Sequence, residues 1–197
     1  MSAAPAPSPA PPAPAAAMPA PSLVEEGRKP VNKKLYAVKD LCVGCRICEV
    51  MCSLKHNGTG NPYRARLKIT LPQGNAYNFT PIICRHCKNP PPCMQACPVN
   101  AFYIDPNTEA AVIDSAKCIS CMACVHACPF GAIQVGPDQR EILKCDLCGG
   151  DPVCVKYCAD RPENLLPHRP YPRTSVLRYD EPHKIAELTR QLHTSKV

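Results

Sequence analysis

Sixteen cysteines stand in four groups of four, and their spacing constrains this 197-residue chain more than any other feature. Cys42, Cys45, Cys48 and Cys52 form the first group and Cys118, Cys121, Cys124 and Cys128 the third, each reading C-x2-C-x2-C-x3-C. The second group, Cys84, Cys87, Cys93 and Cys97, and the fourth, Cys145, Cys148, Cys154 and Cys158, read C-x2-C-x5-C-x3-C. Asn89-Pro90-Pro91-Pro92 and Gly149-Gly150-Asp151-Pro152 fill the wider gaps. Two spacings that alternate along the chain make an internal repeat rather than a scatter.

Disulfides, zinc and iron–sulfur clusters could each account for so many cysteines, and the spacing separates them. Cysteines three apart on a tight loop rarely bridge without strain. Structural zinc takes two cysteine pairs far apart in sequence, which three evenly spaced cysteines fit poorly. A C-x2-C-x2-C run instead wraps a larger object and presents three thiolates to three corners of a cubane. The cysteine four residues further on begins a helix that leads away, and in two-cluster ferredoxins it ligates the other cluster. Proline after that fourth cysteine, as in Cys97-Pro98 and Cys128-Pro129, turns the chain there. All sixteen cysteines are therefore expected to bind four [4Fe–4S] clusters. That leaves no thiol for nucleophilic catalysis and no open iron for substrate, so the chain is expected to move electrons for a partner rather than catalyse.

Composition agrees. Aromatic residues are only 5% of the chain with no Trp, too few for a large apolar core, so metal ligation has to supply part of the folding free energy. The formal charge of +7 counts every cysteine as neutral. Four oxidised clusters at about 2− each bring the sum near 1−. The basic residues then balance clusters, and nucleic-acid binding is not expected, since no aromatics interleave with them as a stacking platform requires. No run reaches the roughly 18 apolar residues of a membrane-spanning helix, so direct membrane insertion is not expected. No Lys or Arg precedes Arg28 and prolines interrupt the apolar runs, so no secretory signal is legible. Arg28-Lys29-Pro30 does not make a twin-arginine signal, and the expected location is cytoplasmic.

Three regions follow from the pattern. Residues 1–32, Ala/Pro-rich at the start, are expected to be a disordered tail. Residues 33–160 are expected to carry the clusters, opening with a strand at Leu35 to Val38. Short hairpins are expected at 102–104 with 111–113, at 133–135 with 142–143, and, as a larger insertion, at 66–71 with 76–80. Residues 161–197 read as an extended arm and a helix capped by Asp180, with Ile185, Leu188 and Leu192 on one face that could dock on a partner or pack back.

Across residues 34–160 the chain resembles the iron–sulfur subunits of molybdenum and tungsten oxidoreductases and of hydrogenase and carbon monoxide dehydrogenase complexes. Cys42-Val43-Gly44-Cys45-Arg46-Ile47-Cys48-Glu49 and Cys52-Ser53-Leu54-Lys55-His56 carry that resemblance. It implies an α+β, loop-rich fold of tandem bacterial-ferredoxin-like modules, each with two [4Fe–4S] clusters, in which the cysteine groups pair in a nested way. One cluster would take Cys42, Cys45, Cys48 and Cys158, and its neighbour Cys145, Cys148, Cys154 and Cys52. The inner pair would be Cys84, Cys87, Cys93 with Cys128, and Cys118, Cys121, Cys124 with Cys97. A sequential pairing, first group with second and third with fourth, satisfies the valences equally well. The resemblance also implies a catalytic tungsten or molybdenum subunit as partner, a tungsten aldehyde oxidoreductase among the candidates, with a further redox subunit or ferredoxin beyond it. Self-association through the arm, a freestanding polyferredoxin and a cluster-based redox sensor or scaffold are the competing readings.

Two kinds of neighbour invite a role. Lys117 and Lys144 each precede a ligand and could raise its cluster's potential, although a solvated surface lysine is the plainer reading of both. His56, His86 and His126 sit beside cysteines, but every group already has four, so they are expected to be polar packing around the loops.

Overall fold

The computed structural model describes residues 33–71, 79–88, 90–159 and 176–194, which include all sixteen cysteines. Among them the fold is a small mixed set of short helices and two-stranded sheets joined by loops. The expected tail lies outside the described residues, as does the first part of the expected arm.

Strand β1 (Lys34–Ala37) leads into the first cysteine loop, and α1 (Ile47–Asn57) leads out of it. Helix α1 ends because Gly58 takes φ +67° and returns its N–H to the Leu54 carbonyl at 3.0 Å. The insertion is an antiparallel hairpin of β2 (Lys68–Thr70) and β3 (Thr80–Ile82). Its second strand begins at Thr80, where the expected one ended, and its turn lies outside the described residues. Helix α2 (Pro92–Gln95) starts on the proline run. The hairpin of β4 (Phe102–Ile104) and β5 (Ala111–Ile113) forms where the sequence places it, as does that of β6 (Gln134–Val135) and β7 (Ile142–Leu143). Helix α3 (Ala123–Ala127) lies between these hairpins, and α4 (Val153–Ala159) carries the last two cysteines.

After residue 175 the chain returns to its beginning. Strand β8 (Leu177–Asp180) pairs antiparallel with β1, Leu35 opposite Tyr179, and helix α5 (Pro182–Thr194) follows. The Asp180 carboxylate accepts the Glu181 N–H at 2.8 Å, but α5 opens at Pro182, so Asp180 stands one residue before the cap position and does not cap the first turn as expected. Ile185 is buried, so at that residue the helix packs back on its own chain. Part of the segment read as an arm is thus an integral strand, because Val176 and Leu177 are apolar enough to be drawn under the first cysteine loop.

Buried apolar side chains gather at two centres. One surrounds α1 and α4 and joins Leu35, Leu67, Ile69, Leu147 and Leu177 to four cysteines, Cys48, Cys52, Cys154 and Cys158. The other surrounds α2 and α3 and joins Phe102, Ala111 and Ile133 to Cys93 and Cys124, with Cys97 and Cys128 packed against it. The first centre is built from the two ends of the sequence and the second from its middle. Among the described residues no helix is long and apolar enough to cross a membrane.

Candidate metal centres

Each cysteine loop is made by a residue in the left-handed region two positions after the group's first cysteine: Gly44 at φ +70°, His86 at +46°, Ser120 at +55° and Leu147 at +57°. In the two narrow groups a second left-handed residue follows, Arg46 at +58° and Met122 at +62°. Backbone that alternates in this way turns successive N–H groups inward and forms a concavity suited to an anionic object, as at many iron–sulfur sites. Only Gly44 pays no steric cost for the conformation, and a Cβ there would also stand 2.5 Å from the Phe79 ring.

The helices then bring groups together. Cys48 and Cys52 on α1 are four apart, as are Cys154 and Cys158 on α4, so each pair shares one helix face. The packed helices run so that Cys48 feels Cys158 and Cys154 feels Cys52. One cavity of about 330 Å3, partly open to solvent, is lined by Cys42, Cys45, Cys48 and Cys158 under Ile69, Pro81 and Leu177. A second, of about 350 Å3, is lined by Cys84, Cys87, Cys93 and Cys128 with His86, Phe130, Ile133 and Lys144.

Several of the thiols are held where protons leave with difficulty. Burial, then the nearby Cys158, pushes Cys48 far above the ordinary thiol range, and burial does the same to Cys145 and Cys154. Cys52 is pushed up to about 11 by burial although the Arg66 amide pulls it down, and Cys124 to about 11 by burial and Cys118. Four sulfurs crowded together resist ionising one another, so such a set is stable either protonated or bound to a cation. None of the sixteen is in a disulfide. The donor set and the inward backbone fit a metal–sulfur group.

Backbone amides are already aimed at sulfur. Ala101 and Ala132 donate to Cys97 Sγ at 3.2 Å and Cys128 Sγ at 3.4 Å, each four residues after a Cys-Pro step. Asn100 at φ +50° and Gly131 at +57° make those two turns alike. Arg66 and His86 amides donate to Cys52 Sγ at 3.3 Å and Cys84 Sγ at 3.4 Å.

Several residues beside the sulfurs had no mark in the sequence. The buried Glu49 carboxylate accepts the Ile69 N–H at 2.7 Å and ties β2 to α1. Arg66 pairs with Asp146 at 2.6 Å. Burial alone would raise the Asp146 pKa, but Arg66 and then His56 hold it below the usual carboxylate range. His56 Nε2 lies 3.6 Å from Cys148 Sγ and 3.5 Å from Asp146. Burial lowers His56 to about 4 and His86 to about 3, so both are neutral near pH 7. His126 is exposed. Lys117 is a solvated lysine, 66% exposed and 3.6 Å from Asp114. Lys144 is not: it is 5% exposed, and its ammonium donates to the Ala111 carbonyl. The plain solvated reading fails for Lys144 because β5 closes over it.

Comparison with known proteins gives a consistent picture. The 4Fe-4S dicluster domain family matches residues 75–166, which hold the last three cysteine groups. The aliphatic sulfonate oxidoreductase polyferredoxin-like subunit of Pyrococcus furiosus is 37% identical over 129 residues, covering 64% of this chain and 72% of that protein. Formate hydrogenlyase subunit 2 of Escherichia coli is 31% identical, covering 74% of this chain and 87% of its own. The thiosulfate reductase electron transfer subunit PhsB of Salmonella typhi is 34% identical over 59% of this chain and 66% of that one. Two further matches are much longer proteins, of which this chain spans 23% and 28%.

Proposed function

The chain belongs to the 4Fe-4S dicluster family of oxidoreductase electron-transfer subunits, and from that membership we propose that its sixteen cysteines hold four [4Fe–4S] clusters in nested pairs. The observation that carries the pairing is where the last cysteine of a group stands. Cys158 lies with Cys42, Cys45 and Cys48, and Cys128 with Cys84, Cys87 and Cys93. Cys154 neighbours Cys52, Cys145 and Cys148, which supports the second outer set, and Cys97 packs against the centre that holds Cys124, itself a neighbour of Cys118 and Cys121, which supports the second inner set. When bound, such clusters supply reversible one-electron exchange at potentials set by hydrogen bonds to sulfur, local charge and solvent exposure.

The residues do the rest. Cys48 neighbours Cys154, Cys145 neighbours Cys84, and Cys124 neighbours Cys93, which supports an order in which the four proposed sites follow one another. The four amide donors place positive dipole ends on Cys52, Cys84, Cys97 and Cys128, where they would stabilise the negative charge of a bound cluster. Leu177, Ile69 and Val176 form an apolar wall over the site at one end. At the other, Cys121 is exposed and Ile119 beside it is 62% exposed, leaving that site open to a redox partner.

We therefore read the chain as a non-catalytic electron relay between a catalytic oxidoreductase subunit and a further redox subunit or ferredoxin. A cytoplasmic complex with a tungsten or molybdenum catalytic subunit is the form that this reading favours. Residues 1–32 would be its tail, 33–160 its cluster-binding domain, and 161–197 the segment that touches the partner, anchored by β8. Stepwise anaerobic reduction tests the relay: about four electrons per chain should be taken up, one per cluster. Uptake of none or one would overturn it.

A further inference from the structure

Lys144 stands at the junction of the two apolar centres. Its backbone precedes Cys145, a thiol of the outer set, while its side chain crosses to β5 and lines the cavity of Cys84, Cys87, Cys93 and Cys128. The ammonium donates to the Ala111 carbonyl and, at 3.4 Å, to that of Cys145. Those carbonyls take two of its three hydrogens but do not neutralise its charge, and no carboxylate pairs with it among the described residues. A buried, unneutralised ammonium is costly, and proteins keep one where a negative group shares the same low-dielectric space. The groups that could supply that charge here are the thiolate-bound clusters, each about 2− when oxidised.

Resting on the four-cluster reading, we propose that Lys144 is the shared buried counter-charge of the two central sites, Cys145/Cys148/Cys154/Cys52 and Cys84/Cys87/Cys93/Cys128. Adding an electron adds negative charge, and a fixed cation inside the same low-dielectric region makes that easier, so Lys144 holds the two central potentials up. The terminal sites lie beyond the residues that Lys144 touches. Arg85 provides the contrast. It lines the same cavity, but it is exposed, stacked 5.4 Å from the Tyr36 ring and 5.9 Å from that of Phe130, where water screens its charge.

The test uses the full-length chain carrying Lys144→Gln, Lys144→Arg or Arg85→Gln, with iron counted and each midpoint potential followed by EPR-monitored redox titration. Glutamine can still donate to Ala111 but carries no charge. Fully loaded Lys144→Gln should show two of the four potentials fallen and two unmoved, Lys144→Arg should keep the native values, and Arg85→Gln should shift them less. No shift, or an equal fall of all four, overturns the proposal. If Lys144→Gln binds less iron, Lys144→Arg decides: full iron there supports a role for the charge, and equal loss in both variants overturns it. The four-cluster reading itself stands on the iron count of the unaltered chain, so the two can fail separately.

Discussion

The pairing of the groups is decided by single cysteines, and double variants separate the possibilities. If Cys48 and Cys158 ligate one cluster, removing both as Ser should cost about four iron per chain, no more than removing either. Removing Cys48 with Cys154 should cost about eight. Sequential pairing would make the Cys48/Cys158 pair cost about eight as well, which an iron assay on the purified variants would show. At this scale the grouping of the cysteines could be read from spacing, because thiolates that share a cubane have to follow its corners. The left-handed residues could not, since His86, Ser120 and Leu147 are ordinary types that carry no mark of the conformation the cysteine loop gives them. Ser120→Thr tests that conformation. It keeps the hydroxyl that donates to the Arg140 carbonyl at 2.6 Å, yet adds a methyl at φ +55°. A β-branched residue there should cost about 1–2 kcal/mol, seen as cluster loss at lower denaturant.

Among the elements, hairpins were the most legible, because turn residues between short apolar runs define them. What sequence did not convey was how elements from opposite ends meet. Strand β8 lies 140 residues from β1, and only the burial of Val176 and Leu177 shows why it returns. Deleting residues 176–197 should uncover the Cys42/Cys45/Cys48/Cys158 site and cost about four iron, or make one cluster much more sensitive to air. Full iron and unchanged air stability would show that β8 is dispensable. Glu49 is the second long-range tie. Glu49→Ala leaves the Ile69 N–H buried without its acceptor, and the variant should be destabilised by about 1–3 kcal/mol in denaturant melts of the holo protein, whereas Glu49→Gln keeps an acceptor and should lose less.

For the whole molecule, the same charge appears twice. The formal +7 that would suggest an acidic partner would be nearly cancelled by the four proposed clusters of about 2− each, and the role proposed for Lys144 would make it a buried local instance of that balance. The sequence disclosed the sum but not the location, since a lysine beside a ligand reads as solvated until β5 is seen to cover it. The apolar centres are small and contain the cysteines themselves, so iron removal under a chelator should collapse near-native secondary structure rather than leave a folded apo form, as far-UV circular dichroism would record. The most direct test of the central claim is iron and acid-labile sulfide per chain on anaerobically purified protein, read with its EPR spectrum after reduction. The account predicts about sixteen of each and [4Fe–4S] signals broadened by spin–spin coupling between neighbours in the line. Zinc in place of iron, or only one or two clusters with unbroadened signals, would contradict it.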